Sequence, residues 1–61
     1  MTLATDLRET RLLRGLTQTQ AAAELGVHKN TIARWERGEL PMALRSQQHV
    51  KLWIEKGTPD A

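Results

Sequence analysis

The stretch from Thr17 to Arg37, TQTQAAAELGVHKNTIARWER, constrains the fold of this chain more than any other feature. Thr17 followed three residues later by Gln20 fits a capping box: the hydroxyl accepts from the third amide of a helix while the glutamine reaches back to the cap. Leu16 and Ala21 occupy the staple positions around it, so a helix begins at Gln18. Three consecutive alanines, the residue of highest helix propensity, carry it to Leu25, and Gly26 follows where a left-handed residue must turn the chain. Val27, Ile32 and Trp35 supply the buried side of the next helix, which Gly38 ends. Ala22 is small enough to let that second helix cross closely.

The remainder reads as helical too. Prolines occur only at 41 and 59, glycines at 15, 26, 38 and 57, and no stretch alternates apolar and polar residues as a strand would. Leu3, Leu7 and either Thr10 or Arg11 follow a helical spacing, with Asp6 and Glu9 at the start, where the helix dipole favours negative charge. This first helix is expected to end near Arg14. Pro41 is well placed as a first helical residue and opens a long last helix to about Lys56, patterned on Ala43, Ser46 or Gln47, Val50, Trp53 or Ile54, and Gly57. The expected organisation is one domain over residues 1–57 with a polar tail, TPDA, at 58–61.

Sixty-one residues allow one small core, near the lower limit for a chain that folds without staples. With no cysteine there are no disulfides or thiolate metal sites, and His28 and His49 lack the spaced partners of a zinc site, so neither metal nor cofactor is expected. No apolar run spans a bilayer, and the start MTLATDLRET has no signal-like core, so the cytoplasm is the expected compartment. Catalysis has little support: there is no phosphate-cradling glycine loop, no paired histidines, and the lone Ser46 has no nearby base. The net charge of +2 and pI near 9.7 are compatible with an anionic partner, but the distribution of charge has to decide.

That distribution is informative in the helix after Gly26. Positions 29, 30, 33, 34 and 37 lie away from the Ile32 and Trp35 stripe, and four of the five are Lys, Asn, Arg and Arg. A solvated face explains such charges as well. A cationic helix with an amide side chain, held at a fixed angle by its neighbour, is also what reading base edges in a DNA major groove requires. Glu36 poses a separate problem, because a carboxylate at a helix C-terminus opposes the dipole; Arg11 on the first helix is the natural compensating partner, with Arg37 or water as the alternative.

Residues 7–38, LRETRLLRGLTQTQAAAELGVHKNTIARWERG, resemble the helix-turn-helix of the phage repressor and Cro-like family, also called the xenobiotic response element family, at Gln18, Ala22, Gly26, Ile32, Glu36 and Gly38. The resemblance implies an all-α fold, a compact four-helix helix-turn-helix domain of the lambda-repressor-like type, here with a long C-terminal helix. It implies that Lys29 to Arg37 form the recognition helix, that Lys29, Asn30 and Arg34 touch base edges, with His28 able to join them, and that Gln18 meets a phosphate. Thr31 and Arg37 are expected at the DNA backbone, although Arg37 could equally be a cation stabilising the last turn. It also implies a structural salt bridge between Arg11 and Glu36. The chemistry agrees: Arg34 can present a bidentate fork to guanine and Asn30 to adenine, each worth about 1–3 kcal/mol of discrimination. His28 departs from the pattern, standing where a serine or threonine normally caps the helix.

Leu44, Val50, Leu52, Trp53 and Ile54 offer more apolar area than a small core easily covers, which makes Val50, Trp53 and Ile54 a candidate dimer interface. The alternative is that Val50 and Trp53 complete the core of the chain. A homodimer would place two recognition helices about 34 Å apart on a palindromic operator. The expected function is therefore a sequence-specific regulator of double-stranded DNA, most simply a repressor, phage-derived or controlling its own operon, and nucleoid-associated. It would have no membrane contact and no small-molecule effector. Two alternatives remain open: an antitoxin or anti-CRISPR-associated autorepressor reading DNA in the same way, and a protein interaction module that has lost DNA binding.

Overall fold

The computed structural model describes residues 2–56. The expected boundary at Gly57 and the tail 58–61 lie outside the described residues. Four helices follow one another: α1 (Leu3–Leu13), α2 (Gln18–Leu25), α3 (Lys29–Arg37) and α4 (Leu44–Lys56). Among the described residues, no helix is long and apolar enough to cross a membrane.

The helix boundaries follow from their caps. Thr2 accepts from the Thr5 amide at 3.2 Å and starts α1. At α2 both halves of the capping box form: the Gln20 amide donates to Thr17 Oγ1 at 3.1 Å, and the Thr17 amide donates to Gln20 Oε1 at 2.9 Å. Gly26 (φ 73°) and Gly38 (φ 74°) end α2 and α3 in the left-handed region, a conformation that would cost an L-residue about 1–2 kcal/mol. A Cβ at either position would meet nothing within 4 Å, so backbone strain alone selects glycine there.

Each helix contributes to one core: Leu7 from α1, Ala22 and Leu25 from α2, Ile32 and Trp35 from α3, and Val50 from α4. Leu7, Ile32 and Val50 have no exposed surface, and burial of each stabilises the fold by about 1.5–3 kcal/mol. The small side chain of Ala22, 2% exposed, lets α2 and α3 pack closely across the Gly26 turn.

Two expectations for the C-terminal part are corrected. Pro41 does not open α4, which begins three residues later. Leu40 and Met42 both pack on the core, and residues two apart share a side of an extended chain but not of a helix. The segment 39–43 is therefore non-helical, with Pro41 exposed between them. Gln47 then fastens the start of α4 by donating to the Met42 carbonyl at 3.0 Å. The second correction concerns Val50, which has no surface left to offer a partner.

Trp53 also serves its own chain. Its indole Nε1 donates to Glu24 at 2.9 Å, and the Arg14 guanidinium sits 4.5 Å from its ring centroid. Arg14 further donates to the Ile54 carbonyl at 2.8 Å, so the cation at the end of α1 satisfies the last turns of α4. On the other side His49 Nε2 donates to the Leu25 carbonyl at 3.0 Å, tying α4 to the end of α2. Ile54 is half-buried against the core. Among the described residues, the large apolar side chains left exposed are Leu12, Leu13, Leu44 and Leu52.

Candidate nucleic-acid interface

The candidate surface is the outer face of α3, and its angle is set from two sides. The Gly26 turn and the Ala22 crossing fix α3 against α2. At the far end Glu36 meets Arg11: Nε donates to Oε2 at 2.8 Å and Nη2 to Oε1 at 3.0 Å, a bidentate pair between α3 and α1. The Arg11 and Glu36 side chains are only 11% and 4% exposed. Arg11 also donates to the Leu16 carbonyl at 3.0 Å, which holds its fork in place.

Burial alone would push the Glu36 carboxyl up, but the hydrogen bonds from Arg11 and Gln18, with the charges of Arg11 and Arg8, outweigh it, and its pKa lies below the ordinary value. The Arg11 guanidinium is correspondingly raised, chiefly by its hydrogen bond to Glu36. Both groups are therefore ionised together across the neutral range, and the carboxylate at the C-terminal end of α3 is neutralised locally.

Gln18 belongs to the same cluster. Its Nε2 donates to Glu36 Oε1 at 3.2 Å, linking the start of α2 to the end of α3. The expected phosphate contact thus concerns a side chain already oriented within the chain; its amide nitrogen carries a second hydrogen free of that bond. The sequence reading missed this link. Its only signal is that Gln18 and Glu36 each belong to helix ends which the Gly26 turn folds back together.

His28 is the N-cap of α3, with extended backbone (φ −75°, ψ 147°), and its Nδ1 accepts from the Asn30 amide at 3.1 Å. Histidine is not among the residue types preferred as caps, yet this ring bond satisfies one of the orphan amides of the first turn. An accepting Nδ1 places the proton of the neutral ring on Nε2, so the other edge of His28 is a donor.

His28, Lys29, Asn30, Arg34 and Arg37 are all exposed, whereas Thr31 is half-buried on the flank. Arg37 pairs with Glu39 at 3.1 Å in an exposed bridge, worth at most about 1 kcal/mol. Among the described residues, no hydrogen bond or ion pair engages the side chains of Lys29, Asn30 or Arg34. The arginines at 11, 14 and 37 are tied down within the chain, while these three donors are presented without an intrachain partner. Among the described residues, neither a nucleophile with a base nor a cluster able to hold a metal ion accompanies them.

Residues 7–44 match the helix-turn-helix family. The matched span runs from the buried Leu7 through the capping box, the Gly26 turn and α3 to the first residue of α4. No curated protein and no solved structure matches the chain significantly.

Proposed function

Because the chain belongs to the Cro/C1-type helix-turn-helix family and is a DNA-binding transcription regulator, we propose that it acts as a repressor, occupying an inverted-repeat operator as a homodimer. The observation that carries this reading is the set of unpartnered donors at Lys29, Asn30 and Arg34 on a helix clamped at both ends. Such a helix enters the groove without first breaking intrachain bonds or reordering its backbone.

In this reading Arg34 forks onto guanine O6 and N7 and Asn30 onto adenine N6 and N7, while Lys29 takes a guanine or a phosphate. His28 donates from Nε2 to an acceptor on the DNA, and Gln18 and Arg37 steady the backbone. The protein blocks a promoter by occupying it. One such helix reads too few base pairs for a unique site, which is the reason for two copies and a palindrome. With Val50 buried, the copies are proposed to meet beside Leu52 and Trp53 on the outer side of α4, where these residues line a shared depression with His49.

The test is selection from a random duplex pool, followed by the native mass of the selected complex. An enriched inverted repeat bound by two chains, weakening steeply as salt rises and the release of condensed counterions becomes less favourable, is the expected result. A pool that yields no enriched sequence overturns the reading and leaves a module for protein contacts.

A further inference from the structure

Five positions form the outer face of α3, and the four with long or polar side chains leave one unaccounted for: Ala33. It lies one turn after Lys29 and one turn before Arg37, in the row beside Asn30 and Arg34. It is half-buried although its neighbours on that face are exposed. A single methyl among Lys, Asn and Arg side chains is a dip at the centre of the surface, and there the helix backbone can come nearest whatever the helix enters.

An α-helix nearly fills the major groove, so a dip at the centre of its inward face lies over the groove floor. In that groove the C5-methyl of thymine is the apolar group that projects from a base edge; the C5–H of cytosine is apolar but does not project, and the amino, carbonyl and N7 groups are hydrogen-bond donors or acceptors. A methyl side chain cannot satisfy a donor or acceptor, but it can exclude water from another methyl. Resting on the DNA-reading role of α3, we infer that Ala33 is a specificity-determining residue that packs against the C5-methyl of one thymine in each half-site. Its smallness also sets how deeply α3 seats. Arg34 and Asn30 read by hydrogen bonds on one side of this contact, and Lys29 lies on the other.

The experiment uses the full chain and the duplex it selects. Each thymine of one half-site is replaced in turn by deoxyuridine, which removes the methyl and leaves the pairing intact. At one position the wild-type protein should bind about fourfold more weakly, the effect of uncovering one methyl group. Ala33→Ser, which keeps the size but replaces the methyl surface by a hydroxyl, should lose that fourfold difference while still preferring the same bases at the Asn30 and Arg34 positions. Ala33→Leu, assayed at a temperature where circular dichroism shows it folded, should weaken binding to every duplex by tenfold or more, because the added side chain fills the dip. If no thymine responds, or if wild type and Ala33→Ser respond equally, Ala33 does not read the methyl and the inference fails while the repressor reading stands. If no duplex is selected at all, both fail.

Discussion

Replacing Arg11 with methionine tests the device that holds α3 in place. Methionine keeps much of the stem but removes both donors to Glu36, and the carboxylate, 4% exposed in the intact protein, is left with Gln18 as its remaining protein donor. Removing one partner of a fully buried ion pair costs about 3–5 kcal/mol. Here the amide remains and water can enter the space left by the guanidinium, so about 2–3 kcal/mol is the better figure. A domain of this length has a total stability of about 3–9 kcal/mol. At about 4–8 °C per kcal/mol, the melting temperature should fall by about 10–20 °C.

The pH dependence makes this specific to Glu36. In the wild type its folded pKa is depressed, so its contribution is present above the unfolded value of about 4.3 and is lost as pH falls through the folded pKa. In Arg11→Met burial dominates and the folded pKa rises above that value, so the variant regains stability as the carboxyl is protonated. Urea unfolding of both proteins between pH 7 and pH 4, followed by circular dichroism, should therefore show a gap widest at neutral pH and narrowing towards pH 4. Operator affinity, measured where the variant is still folded, should fall as well, because the C-terminal end of α3 is no longer fixed to α1. A gap below about 1 kcal/mol at pH 7, or one that is constant with pH, refutes the argument.

Three further outcomes are expected. His28→Ala should cost about 1 kcal/mol by thermal unfolding through loss of the cap bond to Asn30, whereas His28→Ser should keep most of that stability; equal losses would show that the ring bond does not cap. Arg34→Ala should reduce discrimination at one base position by about 1–3 kcal/mol in a competition assay and leave the melting temperature unchanged; uniform weakening across sequences would instead mark Arg34 as a phosphate contact. Val50→Ala should lower stability by about 2–3 kcal/mol at every protein concentration, since the side chain lies inside one chain; a loss confined to dilute samples would mean that it sits between copies.

The first three helices were legible because their signals are local. A capping box, an alanine run and a left-handed glycine are each decided by residues no more than about four positions apart, and the α2 boundaries fall where those residues place them. The same locality explains the error at Pro41. Its ring suits a first helical turn, but only the tertiary demand that Leu40 and Met42 both reach the core decides that the segment stays out of the helix. Arg11 and Glu36 could be matched at a distance because a carboxylate against a helix dipole requires a partner. Arg14 carried no such signal: a cation in a last turn is normally assigned to its own helix, and nothing in the sequence says that α4 ends beneath it.

The candidate site divides along the same line. Which residues face outward on α3 follows from the helical period, yet the period cannot separate a solvated face from a reading face. What separates them is which donors the chain has already used. Arg11, Arg14 and Gln18 are consumed in fixing the helices to one another, and His28 uses one nitrogen to cap α3 while keeping the other as a donor. Lys29, Asn30 and Arg34 are left over. Hydrogen-bonding capacity withheld from the fold, on a helix whose orientation the fold fixes at both ends, is the physical mark of a surface built to bind a polar partner.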